Sequence, residues 1–151
     1  MNNKNILVTG GLGILGSALV KKLNQKKIYN IFILDRSKNI KKIKVLELGN
    51  LKKVKIIKGN FNDYKTVYKV IKNKNISTIF HLGAITQVID AYKSPMETFN
   101  SNIIGTINIL ESIRNLKKKN KSNIQFIRQS IWLSRWKFLS RKSSTKRKFS
   151  L

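Results

Sequence analysis

The chain of 151 residues contains no cysteine, which excludes disulfides and thiolate metal sites. Acidic residues are scarce: 6 Asp and Glu stand against 32 Lys and Arg, for a formal charge of +26. So one-sided a balance usually points to nucleic acid or an anionic membrane. Here the basic residues are mostly lysines spread through loops and exposed helix faces. Lys, Asn and Ile abound together, as an A/T-rich gene would dictate. A solvated lysine-rich surface is therefore expected, with some nonspecific polyanion binding at low salt and no dedicated nucleic-acid partner. No stretch approaches the roughly 20 apolar residues of a membrane span. The apolar run after Met1-Asn2-Asn3-Lys4 is too short for a signal peptide. A cytoplasmic protein with no membrane partner is expected, with room for one domain and a real core.

What is present begins with Val8-Thr9-Gly10-Gly11-Leu12-Gly13-Ile14-Leu15-Gly16. Ile6, Leu7 and Val8 read as a short buried strand. Leu15, Ala18, Leu19 and Leu23 recur at helical spacing. Strand, glycine turn and helix form the context of a dinucleotide-binding fingerprint. Gly10 permits the tight turn, Gly13 lets backbone approach a pyrophosphate, and Gly16 lets the helix pack close to the sheet. The unpaired N–H groups and positive dipole of the helix start would face the phosphates.

A second strand candidate, Ile31-Phe32-Ile33-Leu34, ends at Asp35. It lies about 20 residues past the glycines, where a carboxylate accepts hydrogen bonds from the ribose hydroxyls of NAD. Asp35 would repel a 2'-phosphate, which favours NAD over NADP, although Arg36 beside it could accommodate that phosphate. Strand-like Val54-Lys55-Ile56-Ile57 follows a weak helical stretch around Ile43 to Leu48. Asp63 is placed to cap a helix carrying Val67, Val70 and Ile71. Thr78 to Leu82 is a further strand, followed by Gly83-Ala84. The only proline, Pro95, then precedes a long helical segment from Met96 to about Leu116, with Phe99, Ile103, Ile104, Ile107, Leu110 and Ile113 among its apolar positions. Alternating strands and helices predict a Rossmann-type, doubly wound α/β fold with a parallel sheet. Ligands of such sheets bind beyond the carboxyl ends of the strands, where Gly10 to Gly16, Asp35, Asn60-Phe61 and Gly83-Ala84 all fall.

Four blocks, in order and spacing, are TGGLGILGS, the strand-end acid of IFILDRS, IFHLGA, and SPMETFNSNIIGTINILES. Through them residues 4–116 resemble the extended short-chain dehydrogenase/reductase family, the NAD-dependent epimerase/dehydratase group acting on nucleotide sugars. Within it, IFHLGAITQV with SPMETFNSNIIGT most resembles nucleotide-sugar 4,6-dehydratases of the CDP-glucose type. The resemblance implies NAD as cofactor, held by Gly10, Gly11, Leu12, Gly13, Ile14, Leu15 and Gly16 around the pyrophosphate. It implies Asp35, with Arg36 beside it, at the adenosine ribose. Asn60 would take the adenine position usually held by an acid, with Phe61 alongside. Leu82, Gly83 and Ala84 would line the cofactor, and Asn102 matches the family's helix asparagine near it. It also implies a nucleotide sugar as substrate of the full-length relative and allows a homodimer. His81, the only histidine, stands inside the strand motif and is expected to be structural.

The family's chemistry needs a Tyr with a Lys four residues on. Tyr64 and Tyr68 come too early, and no Tyr follows Ile127. No catalytic residue and no metal site are assigned. The ending RQSIWLSRWKFLSRKSSTKRKFSL is basic, with two Trp and no strand pattern. A nucleic-acid-binding tail is one reading. A frameshifted peptide is the preferred one. Lys117-Lys118-Lys119-Asn120-Lys121 implies a run of adenines. Read one nucleotide forward, with codons chosen where the code allows, the segment from Ile124 can read Ser-Ser-Asp-Lys-Ala-Tyr-Gly, similar to a block of these dehydratases. The expectation is thus an incomplete NAD-binding domain over 1–127, truncated before a substrate domain and inactive alone, with an out-of-frame or disordered tail over 128–151. A 4-epimerase fragment and a non-catalytic NAD sensor with a nucleic-acid-binding tail are the alternatives.

Overall fold

The structure is a computed structural model that describes residues 4–36, 40–48, 50–120 and 124–128. Its elements in chain order are β1 Lys4–Thr9, α1 Ile14–Gln25, β2 Tyr29–Asp35, α2 Ile40–Val45, β3 Val54–Lys58, α3 Tyr64–Asn73 and β4 Thr78–His81. They continue with α4 Val88–Lys93, α5 Pro95–Phe99, a π-helical turn Asn100–Ile104, α6 Gly105–Asn120 and β5 Gln125–Arg128. The expected tail over 128–151, Arg128 apart, lies outside the described residues.

The strands form one parallel sheet in the order β3-β2-β1-β4-β5. The chain runs outward from β1 to β3, then returns to the other side of β1 for β4. A crevice therefore opens between the carboxyl ends of β1 and β4, the switch point of a doubly wound sheet. Register aligns Thr9 with Leu34 on one side and with His81 on the other.

Successive strand residues point to opposite faces, and both faces are covered, which is why the strands read as continuous apolar runs. On one face Leu7, Phe32, Leu34 and Ile79 pack with Val67, Val70 and Ile71 of α3 and with Ile109, Ile113 and Leu116 of α6. On the other, Ile6, Val8, Ile31, Ile33 and Phe80 pack with Leu19 and Val20 of α1 and with Leu48.

Two helices differ from the sequence expectation. Helix α1 buries Gly16, Ser17, Leu19 and Val20, while Leu15 and Ala18 are exposed. Its contact face passes through the glycine, which lets the helix approach the sheet. In the second case, the expected single helix from Met96 is interrupted by the π-helical turn. Ile113 is buried as the pattern suggests, but Phe99, Ile103, Ile104, Ile107 and Leu110 are exposed. The buried stripe of α6 is Ile109, Ile113 and Leu116, at i, i+4 and i+7. Val88, Ile89 and Tyr92 of α4, a helix the sequence did not suggest, are likewise exposed. None of the described helices is long and apolar enough to cross a membrane.

Candidate functional site

The turn from β1 into α1 is set by Gly10, whose φ of +68° lies in the left-handed region. A Cβ there would also stand 2.7 Å from the backbone nitrogen of Gly83. The turn closes through Gly13 N–H donating to the Gly10 carbonyl at 3.0 Å. Gly13 is the N-cap of α1, with no side chain capping the helix and no acid in its first turn. The first N–H groups of α1 thus remain available to an anion.

Three other strand ends meet this turn. A cleft of about 330 Å³ is lined by Gly10, Leu12 and Gly13, by Leu34, Asp35 and Arg36, by Phe61, by Gly83, Ala84 and Ile85, and by Ser101. A larger cavity, about 660 Å³, lies at the opposite ends of the strands, among Asn24, Gln25, Lys27 and residues 50–53. It gathers none of the sequence-predicted residues.

Of the residues expected at a cofactor, Gly10, Leu12, Gly13, Asp35, Arg36, Phe61, Gly83 and Ala84 line the cleft. The rest stand around it. Gly11 faces the Ile33 side chain, and Gly16 packs on the Gly10 carbonyl. Ile14 is 90% exposed and Leu15 is also exposed, so their backbone rather than their side chains belongs to the turn. Leu82 packs against the core. Asn60 accepts from the Asn62 N–H at 3.0 Å, shaping the loop after β3. Asn102 lies behind the cleft wall. Its Nδ2 donates to the Ile85 carbonyl and its Oδ1 accepts from the Ile85 N–H, both at 2.8 Å.

His81 is 2% exposed and sits beneath the cleft. Its Nδ1 is 2.6 Å from the Thr9 hydroxyl and its Nε2 is 3.1 Å from the Thr106 hydroxyl. Thr9 Oγ1 accepts from the Gly83 N–H, and Thr106 Oγ1 donates to the Asn102 carbonyl. Every donor finds an acceptor when the ring proton is on Nε2, which assigns the tautomer. The Phe61 ring meets the imidazole edge-on at 5.3 Å. His81 is a structural strut, as its position in the strand suggested.

Sequence reasoning missed Ser101 and Glu97. Ser101 is buried in the π-helical turn and lines the cleft. Ser17, Thr98, Thr106 and Ser112 each donate to a carbonyl three or four residues back, and Thr66 bonds Asp63. Among the described helical serines and threonines, only Ser101 makes no side-chain hydrogen bond. A π-helical turn, often found at functional sites, gave no sequence signal. Glu97 of α5 pairs with Arg36 at 2.9 Å across 61 residues of chain. Tyr68 and Lys72, the one Tyr-x-x-x-Lys spacing in the chain, lie on α3, with Tyr68 packed on the core and neither lining the cleft. No group of three or more His, Cys, Asp or Glu that could hold a metal occurs among the described residues.

Comparison with known proteins finds a family model, GDP-mannose 4,6 dehydratase, matching residues 7–130. A dTDP-D-glucose 4,6-dehydratase of Dictyostelium discoideum is 35% identical over 130 residues, which is 79% of this chain and 29% of that protein. A UDP-glucose 4-epimerase of Mycoplasma genitalium is 31% identical over 117 residues, 75% of this chain and 33% of its own length. Among solved structures, Pal from Bacillus thuringiensis superimposes with a TM-score of 0.68 at 31% identity, covering 82% of this chain and 38% of that one. The chain therefore spans about a third of the length of the curated relatives it matches.

Proposed function

This chain belongs to the GDP-mannose 4,6 dehydratase family, within the extended short-chain dehydrogenases/reductases, and we propose on that premise that it is the NAD-binding part of a nucleotide-sugar 4,6-dehydratase-like protein. The observation that carries the reading is the convergence of four strand-end segments on one cleft: the glycine turn, Asp35-Arg36, Phe61 and Gly83-Ala84. The cleft suits a dinucleotide. Gly13 lines the cleft, and a Cβ there would crowd the Gly10 carbonyl at 3.1 Å, so the turn that would receive a pyrophosphate stays bare backbone. When bound, NAD would supply the hydride acceptor at its nicotinamide.

The chain's own residues would bind and orient it. The start of α1 would donate backbone N–H groups to the pyrophosphate. Asp35 would accept from the adenosine ribose hydroxyls, and Asn60 and Phe61 would border the adenine. Asn102 would fix the Ile85 backbone that walls the cleft. Among the described residues the cleft lining contains no Tyr, His or Lys, so none of them offers the phenol and ammonium pair that sugar oxidation in this family needs. We assign this chain binding without turnover, with residues 1–127 as the NAD-binding domain and 128–151 as a basic tail without a part in it. A nucleotide sugar would be the substrate of the whole protein. A 4-epimerase is the second reading, favoured by the Mycoplasma relative.

The test is calorimetric titration of NAD into the full chain and into its Asp35→Ala variant. Saturable binding, weakened about tenfold or more in the variant, supports the reading. No saturable binding by ~10 mM NAD, or equal binding by both proteins, overturns it.

A further inference from the structure

Among the described residues Arg36 is the one cation lining the cleft, and its guanidinium is engaged by Glu97. Only six acids occur in the chain, and two of them, Asp35 and Glu97, stand at this end of the cleft. The other described ion pairs are Lys21 with Glu47 and Arg114 with Glu111, and none of those four residues lines the cleft. Pro95 opens α5, and the Thr98 hydroxyl bonds back to the Ser94 carbonyl, fixing the turn that presents Glu97.

We propose that Glu97 is a specificity-determining residue that favours NAD over NADP by engaging Arg36, the group that a 2'-phosphate would need. The inference rests on the NAD-binding reading above and deepens it. The two cofactors differ by a phosphate on the ribose hydroxyl assigned to Asp35. That carboxylate repels the phosphate. Among the described residues lining the cleft, Arg36 beside it is the group able to offset the repulsion with charge-assisted hydrogen bonds. With Arg36 paired to Glu97, a 2'-phosphate must break one ion pair to gain another, and the net attraction is small. NAD, lacking the phosphate, asks nothing of Arg36. Glu97 acts through Arg36 and is a positioning residue.

The experiment measures Kd for NAD and NADP in the wild-type full chain, Glu97→Gln, Arg36→Ala and the double variant. Both side chains are more than half exposed, so the fold tolerates the changes. Because an exposed pair is worth up to about 1 kcal/mol, Glu97→Gln is expected to tighten NADP about two- to fivefold with NAD unchanged. The gain is expected to vanish in Arg36→Ala/Glu97→Gln. If Glu97→Gln leaves the NADP-to-NAD ratio unchanged while NAD binds the wild type, the inference is overturned and the NAD site stands. A gain persisting without Arg36 also overturns it, because Glu97 would then act by its own charge. If the wild type binds neither cofactor, the NAD-binding reading falls, and this inference with it.

Discussion

Asn102 grips Ile85 by both ends of the backbone, donating to its carbonyl and accepting from its N–H at 2.8 Å each. A side-chain amide matches a residue's N–H and C=O pair as a neighbouring strand would. The clamp joins the π-helical turn to the segment after β4, so the cleft wall keeps its shape where no regular structure supports it. Asn102→Asp retains the acceptor and loses the donor. The half-buried Ile85 carbonyl then faces a carboxylate, at a cost of about 1–3 kcal/mol. Chemical denaturation should register that loss, and NAD affinity should fall with it. An unchanged midpoint would show that the clamp contributes nothing.

Ser101→Ala separates binding from folding. Among the described residues the hydroxyl has no hydrogen-bond partner, so its loss should leave stability equal or slightly higher, alanine being the better helix former. If the hydroxyl reaches the cofactor, NAD binding should weaken by about 1 kcal/mol, several-fold in Kd. Paired thermal melts and titrations test both signs. Weaker folding, or unchanged binding, would exclude Ser101 as a ligand group.

Gly16→Ala opposes two effects of known size. Alanine gains about 1 kcal/mol over glycine within a helix. Its Cβ, however, would lie 2.1 Å from the Gly10 carbonyl oxygen and 2.7 Å from the Gly11 Cα. Both are backbone atoms of the turn and have no rotamer to yield. Overpacking of about 1–3 kcal/mol or more should win, so the variant should unfold at lower denaturant and bind NAD more weakly. A stabilised variant would mean that α1 moves away from the turn at little cost.

Asp63 caps α3, accepting from the Lys65 N–H at 3.0 Å and the Thr66 hydroxyl at 2.6 Å. The Thr66 hydrogen bond, with the Lys65 and Thr66 backbone bonds and the Lys65 charge, holds its carboxyl below the ordinary value despite some desolvation. A depressed folded-state pKa contributes stability that is fully present above the unfolded value of about 3.9 and is lost as pH falls through the folded one. Asp63→Ala should therefore melt earlier than wild type at neutral pH, and the gap should narrow below about pH 4. A constant gap from neutral to acid pH would assign the cap's contribution to something other than its charge.

Much of this architecture is local and so was legible in the chain. The apolar runs at 6–8 and 31–34, the Asp63 cap and the glycine turn depend on neighbours in sequence, and each is found in its element. The strand-end rule then brought Gly10, Asp35, Phe61 and Gly83 together without coordinates. What escaped depends on phase or on distance. Between 99 and 110 apolar residues occupy both sides of the helix, and the π-helical turn shifts its register, so periodicity alone could not separate buried Ile109 from exposed Ile107. Arg36 and Glu97 meet across 61 residues, and no local pattern announces such a pair.

The hydroxyl and imidazole chain under the cleft runs in one direction, from the Gly83 N–H through Thr9, His81 and Thr106 to the Asn102 carbonyl. Each member already gives and receives, so turning one around would strand its neighbours. Such a circuit fixes three side chains at once, and it braces β1, β4 and α6 against one another beneath the cleft.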